Sequence, residues 1–219
     1  PVIKHGGKSF RDKTTISILS NSEHPAATYY TTNGEEPTMH SFAYKKTFTV
    51  DRSCTIKAKS YYANDSSSTV VSTLIKKPNN WSIQLMSKYN TQYSAGGSEG
   101  VIDGIHGSEN WRKGEWQGYQ YRDFECILDL KSVKQINSYS MWFLQDSRSW
   151  ILFPKKVELY TSENGKDFLL QNEYEIAQDP KNETVKIMKV EKTLDKTLKS
   201  RYLKLIARNF GKLPDWHLG

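Results

Sequence analysis

Apolar residues recur at every second position in short runs along this chain, and few stretches hold the three-to-four spacing of a helix. Ile16 and Ile18 point one way between polar neighbours, and Cys54, Ile56 and Ala58 alternate with Thr55, Lys57 and Lys59. Further on, Cys126, Leu128 and Leu130 alternate with Ile127 and Asp129, and Tyr139, Met141 and Phe143 with Ser140 and Trp142. Val157 and Leu159 flank Glu158, while Leu203, Leu205 and Ala207 form one more inward face around Lys204. Period-two alternation is the mark of a half-buried strand. Turn chemistry separates the runs. Asn33-Gly34 is a pair favoured in a type I′ hairpin, because both residues accept positive φ, and Pro37, Ser66-Ser67-Ser68 and Asn164-Gly165 punctuate other turns. Strands at this spacing, without helices, predict an all-β protein.

Val101 to Phe124 breaks the pattern. VIDGIHGSENWRKGEWQGYQYRDF carries two tryptophans, four glycines and an Asp-Gly turn, with almost no aliphatic periodicity. A loop longer than about 12–15 residues in a compact domain is usually functional or disordered, and this one is too aromatic for disorder. Function is therefore sought around it.

Composition changes the picture in two places. The net charge of +7 invites a nucleic-acid reading, but residues 1–77 carry 11 Lys/Arg against 6 Asp/Glu, and the remainder 20 against 18. A nucleic-acid binder gathers its basic residues beside stacking aromatics; here the aromatic-rich part is nearly neutral, so no nucleic-acid partner is expected. All six tryptophans lie beyond residue 80, which argues for two domains. Lys76-Lys77-Pro78-Asn79-Asn80 is short and polar, with a proline that disfavours helix before it. The predicted divisions are 1–77, a linker at 78–80, and 81–219. No run approaches the roughly 18 apolar residues of a membrane helix, so no membrane insertion is expected. PVIKHGGKSF is not a signal peptide, and a chain beginning on Pro1 is expected to be an excised piece of an extracytoplasmic protein, whether periplasmic, cell-surface or secreted. Cys54 and Cys126 give neither a disulfide framework nor a metal cluster, and read as buried free thiols.

The phrase Tyr29-Tyr30-Thr31-Thr32-Asn33-Gly34-Glu35-Glu36-Pro37-Thr38, followed by Tyr44, Phe48 and Thr55-Ile56-Lys57-Ala58, resembles the chitobiase/β-hexosaminidase C-terminal domain over roughly residues 1–77. The resemblance implies an accessory sandwich of immunoglobulin or fibronectin type with no chemistry of its own. Residues 81–219 are similar to a discoidin-type domain, the coagulation-factor type C fold that is also widespread as a carbohydrate-binding module. The landmarks are the Ile102-Asp103-Gly104 turn with Gly107-Ser108, then Trp111, Trp116-Gln117-Gly118-Tyr119, Ile127–Leu130 and Trp150-Ile151 with Pro154. Asn164-Gly165 and Arg201-Tyr202-Leu203 follow, leading to Pro214 and Trp216-His217. This implies a jelly-roll β-sandwich. The family continues with an aromatic-rich strand ending in an acidic pair, which closes the sandwich and supplies a calcium ligand; that strand is expected to be lacking here. The tandem order implies a parent glycoside hydrolase of chitobiase or β-hexosaminidase type.

Catalysis is not expected of this stretch. Glycoside hydrolysis needs two positioned carboxylates or a substrate-assisted acid, and the resembled enzymes use an adjacent Asp-Glu pair, a dipeptide absent here. The five histidines show no HExxH spacing, and no phosphate loop occurs. For a structural calcium ion, the resemblance implies Asp103 and the hydroxyl of Ser108, with loop carbonyls completing the shell; the alternative is that Asp103-Gly104 is a capped tight turn.

Sugar recognition needs an aromatic for the apolar face of a pyranose and polar side chains for its hydroxyl belt. Gln145-Asp146-Ser147-Arg148-Ser149-Trp150 offers both within six residues, and Trp216-His217 offers them again. Gln145, Asp146, Arg148, Trp150, Trp216 and His217 are thus the candidate ligand contacts. Trp111 and Trp116 read as packed loop anchors, Trp150 is either platform or packing, and Arg148 with Asp146 alternatively forms a mere surface pair. The expected function is noncatalytic binding of galactose- or N-acetylhexosamine-containing glycans, with the parent catalytic domain as partner in cis. The competing reading is a structural module packed against that domain. A phospholipid-binding reading needs exposed hydrophobic spikes, and none is evident.

Overall fold

A computed structural model describes residues 1–20, 25–213 and 215–216. The chain forms two compact units, Pro1–Asn79 and Asn80–Gly219, both built of strands. The first unit contains β1 (Val2–Lys4), β2 (Ser9–Phe10), β3 (Thr14–Leu19), β4 (Ala27–Thr31), β5 (Phe42–Ala43), β6 (Phe48–Val50), β7 (Cys54–Tyr62), β8 (Asp65–Ser66) and β9 (Val70–Lys76). One sheet has the order β1-β3-β6; the other runs β2-β9-β7-β4-β5, with β8 added on β7. The alternation in the sequence decides which side chains meet between them. Ile16 and Ile18 of β3, Ile56 and Ala58 of β7, and Leu74 of β9 share one buried cluster with Phe10. Burying an aliphatic side chain of this size is worth about 2 kcal/mol, which is why the polar residues between them face out.

The Asn33-Gly34 hairpin is corrected by the structure. A type I′ turn needs positive φ at both central residues; Gly34 has it, and Asn33 is not among the non-glycine residues that do. Instead Asn33 accepts the Glu35 amide on its side chain at 3.1 Å, and Thr31 Oγ1 donates to the Glu35 carbonyl at 2.6 Å. The chain then runs through buried Pro37, whose carbonyl accepts the Tyr61 hydroxyl at 2.7 Å, and β4 pairs antiparallel with β5 and β7.

The second unit adds β10 (Ser82–Leu85), β11 (Phe124–Gln145), β12 (Lys156–Ser162), β13 (Leu169–Glu175) and β14 (Lys186–Arg208), in the antiparallel order β10-β11-β14-β12-β13. Strands of 22 and 23 residues, β11 and β14, are too long to lie flat. Their pairing shifts register between Asp129 and Lys134 and again between Ile136 and Ser138, and bulges of this kind bend a strand and raise its twist. Lys131 takes a positive φ of 70° at the first shift, where its amide donates to Asp129 Oδ1 at 2.8 Å and Arg201 grips the same carboxylate through Nε and Nη2 at 2.9 and 3.0 Å. The bend brings Ile136 and Leu198 into one buried cluster with Cys126, Leu128, Leu130, Leu159 and Leu203. A second cluster joins Phe153, Val157, Ile176, Val190 and Ala207. The sheet is thus bent, and the connections before and after β11 carry the site.

Candidate functional site

Between β10 and β11 the described chain contains no strand, only two short 3-10 turns, Gly97–Ile102 and Trp111–Lys113. Side chains replace the missing ladder bonds. Trp116 Nε1 donates to the Ser108 carbonyl at 2.7 Å, and its indole lies on Gly107, where a Cβ would stand 2.3 Å from the ring. That close approach is what requires glycine there. Ser108 donates its amide and hydroxyl to Glu115 Oε2 at 3.0 and 2.8 Å. Trp116 is thus the packed anchor expected of it.

Trp111 plays a second part. It is half-buried, with the Tyr93 ring edge-on at 5.7 Å and the Arg112 guanidinium 4.3 Å over its ring, an arrangement in which cation and π-face attract. Its Nε1 donates to Asp146 Oδ2 at 3.2 Å, tying the 107–116 loop to the 145–151 loop. Between these loops lies an open groove of about 330 Å³, lined by Glu109, Asn110, Trp111, Arg112, Asp146 and Val185.

The second loop is a tight knot. Asp146 and Ile151 exchange backbone hydrogen bonds of 2.9 and 3.1 Å, Ser149 Oγ donates to Asp146 Oδ2 at 2.7 Å, and Trp150 closes the turn at φ 62°. A non-glycine residue held in that region is costly and concentrates at functional sites. Trp150 is 62% exposed, which favours a platform over packing. Asp146 is buried but lines the groove, so its carboxylate both holds Trp111 and reaches the rim.

Other candidates fall differently. Gln145 is corrected: at 2% exposed it has no surface to offer a ligand, and its Nε2 donates to the Asn182 carbonyl at 3.3 Å while its Oε1 is buried without a partner. Ser147 Oγ donates to the same carbonyl at 2.9 Å, so both residues hold the 178–185 connection. Arg148 is exposed and pairs with Glu183, its Nε donating at 2.8 Å, rather than with Asp146. Such an exposed pair contributes little to stability, and the guanidinium remains available. Trp216 is half-exposed, with Lys181 Nζ 5.6 Å over its ring; His217 lies outside the described residues. Glu109, Asn110, Arg112 and Val185 were not among the expected contacts. The signal for the first three was present: Glu109-Asn110-Trp111-Arg112 has the same mixture of aromatic, amide and charge as the 145–150 stretch. Val185 arrives from the far side of β13, which no local pattern announces.

The turn expected to hold calcium has its oxygens already engaged. A calcium shell takes about six to eight oxygens. Asp103 is buried, and its Oδ1 accepts the Ile105 amide at 2.8 Å, the arrangement of a capped turn. Ser108 is committed to Glu115, and the nearby carbonyls of Ser94 and Gly97 face the side-chain NH2 of Gln117, at 3.3 and 2.5 Å. No group of three or more His, Cys, Asp or Glu able to hold a metal occurs among the described residues. A shell built from Asp103, Ser108 and loop carbonyls does not fit this arrangement, because N–H donors already point into it.

Residues 5–73 match the chitobiase/beta-hexosaminidase C-terminal domain family. No curated protein matches the chain. Solved structures to which it is similar include the family 32 carbohydrate-binding module of Streptococcus pneumoniae EndoD, at 14% identity and TM-score 0.41, covering 64% of this chain and 90% of that one. The module CpGH89CBM32-5 from Clostridium perfringens, in complex with GalNAc-β-1,3-galactose, is 17% identical with TM-score 0.39, covering 59% and 84%. The C-terminal domain of a chitobiase from Bacteroides fragilis is 19% identical with TM-score 0.37, covering 61% and 84%.

Proposed function

We propose that this chain is a noncatalytic glycan-binding accessory region of a glycoside hydrolase of chitobiase or β-hexosaminidase type, working outside the cytoplasm. The observation that carries this reading is the Trp111–Asp146 tie, which sets an indole, a guanidinium, an amide and two carboxylates around one open groove. A pyranose presents an apolar C–H face and a belt of hydroxyls; the Trp111 and Trp150 rings suit the face, and Arg112, Asn110, Glu109 and Asp146 suit the belt. Arg148, exposed on the loop that carries Asp146, is a further polar group on that loop. The family matched by residues 5–73 and the discoidin-type landmarks of the second unit support an accessory role beside a catalytic domain, which is the partner in cis.

An open groove of this size immobilises one sugar or two, so affinity for a monosaccharide is on the order of millimolar, raised by avidity when the module is tethered to an enzyme on a polymeric substrate. Isothermal titration of the full chain with galactose, N-acetylgalactosamine and N-acetylglucosamine, and retention on immobilised mucin, test the proposal. Saturable heat with at least one sugar is expected. Absence of heat with all three together with no retention on mucin would overturn it.

A further inference from the structure

We infer that the side-chain amide of Gln117, rather than a bound cation, locks the 94–117 loop that walls the groove. Gln117 Nε2 sits among backbone oxygens, donating to the carbonyls of Ser94 and Gly97. Gly100 packs directly on it: a Cβ there would stand 3.4 Å from Nε2 and 1.5 Å from the Ala95 carbonyl oxygen. The same knot includes the Asp103 carboxylate, whose Oδ2 lies 3.1 Å from where a Cβ on Gly96 would stand. The amide is held from its other end too, since the Tyr119 hydroxyl donates to Gln117 Oε1 at 2.8 Å. Burial raises the Tyr119 pKa far above its ordinary value, so that donor persists across all working pH. The Tyr119 carbonyl in turn accepts Asn209 Nδ2 at 3.0 Å, which anchors the relay just past the end of β14.

Three consecutive residues therefore brace the loop: Glu115 on Ser108, Trp116 on the Ser108 carbonyl, and Gln117 on Ser94 and Gly97. A calcium ion draws oxygens to about 2.3–2.6 Å. An NH2 group aimed at the same carbonyls presents positively polarised hydrogens, and the two cannot share the position. The amide supplies the cross-link without requiring a metal.

The full chain, melted with tryptophan fluorescence in excess calcium chloride and again in excess EDTA, is expected to show the same midpoint, and calcium titrated into chelator-treated protein is expected to give no saturable heat. Gln117→Met, which keeps the length and removes the donors, is expected to lower the midpoint by about 5 °C. It should also speed amide exchange over residues 94–117 to the same extent in both buffers. A wild-type midpoint that falls in EDTA and recovers with calcium, or stoichiometric calcium binding, would overturn the inference. So would a Gln117→Met protein with unchanged midpoint and loop exchange. The wild-type measurements stand even if the variant does not fold, and neither result depends on the glycan proposal.

Discussion

Replacing Glu158 with glutamine removes the charge at the centre of a heavily bonded ion pair in the second unit. Glu158 lies on β12, 3% exposed, and accepts Arg208 Nε and Nη2 at 2.9 and 2.7 Å, the Tyr160 hydroxyl at 2.8 Å and Lys156 Nζ at 3.2 Å. Arg208 also donates to Asp123 at 2.9 Å, and Asp123 accepts the Asn209 amide at 2.7 Å, so the pair joins β12 and β14 to the segment entering β11. Arg208 first, then Tyr160 and Lys156, hold the carboxyl at about 2 against an ordinary 4.5, outweighing desolvation. A depression of that size corresponds to about 3 kcal/mol; with the Arg208 side chain 41% exposed, solvent screening brings it to about 2 kcal/mol. Because the folded carboxyl is depressed, this stabilisation is complete above the unfolded value of 4.5 and is lost as pH falls through about 2. All six tryptophans lie in the second unit, so urea unfolding followed by indole fluorescence reports that unit alone. Glu158→Gln is expected to lower the midpoint by about 1 M at neutral pH, with wild type and variant converging in acid. Glu173→Gln, which removes the exposed carboxylate on the far side of Lys156, should cost less than about 0.5 kcal/mol. Coincident midpoints for wild type and Glu158→Gln at neutral pH, or a gap that does not narrow with acid, would refute the reasoning.

Other perturbations give equally direct readings. Gly107→Ala forces a methyl into the Trp116 indole and is expected to cost about 2 kcal/mol, with a red shift of fluorescence as the ring is displaced; an unshifted spectrum would contradict the packing. Leu159, wholly buried at the centre of the larger cluster, is expected to cost about 3 kcal/mol on truncation to alanine, measured by the same urea curve. Burial pushes the Cys126 thiol up to about 12, so Ellman's reagent should reach it only on unfolding, and fast native labelling of Cys126 would contradict its placement. Trp111→Phe keeps a ring but removes the hydrogen bond to Asp146 and should weaken glycan binding several-fold, by about 1 kcal/mol. Trp111→Ala should weaken it by about tenfold or more, both read by titration.

The core was legible wherever burial follows local alternation. Cys126, Leu128 and Leu130, and Ile56 with Ala58, turn inward as period two demands, because one face of a strand meets one layer. Glu158 breaks that logic. It sits between Val157 and Leu159 and reads as outward, yet it is buried, because Arg208, fifty positions away in the chain, compensates its charge. No local pattern carries that information. Asn33-Gly34 misled in the opposite direction: the dipeptide permits a type I′ turn, but Thr31, Glu35 and the buried Pro37 fix a different path. At the site, the 145–150 stretch announced its chemistry by composition, and Trp150 and Asp146 lie where a ligand can be met. Gln145 does not, since its amide is buried on the Asn182 carbonyl, a contact with a segment 37 positions away that composition does not announce. Trp111 was legible only as an anchor. That it also faces the groove follows from its bond to Asp146, a contact between two loops that leave opposite ends of β11, a strand bent at its register shifts.

The indole N–H resonances of the uniformly ¹⁵N-labelled chain, titrated with N-acetylgalactosamine and galactose, bear most directly on the proposed groove. Trp111 Nε1, bonded to Asp146, and the indole of exposed Trp150 are expected to shift together along one saturable curve, while Trp116, locked on the Ser108 carbonyl, stays fixed. Saturation with no movement at Trp111 or Trp150, or shifts centred on Trp81 or Trp142 instead, would contradict a glycan site between the two loops.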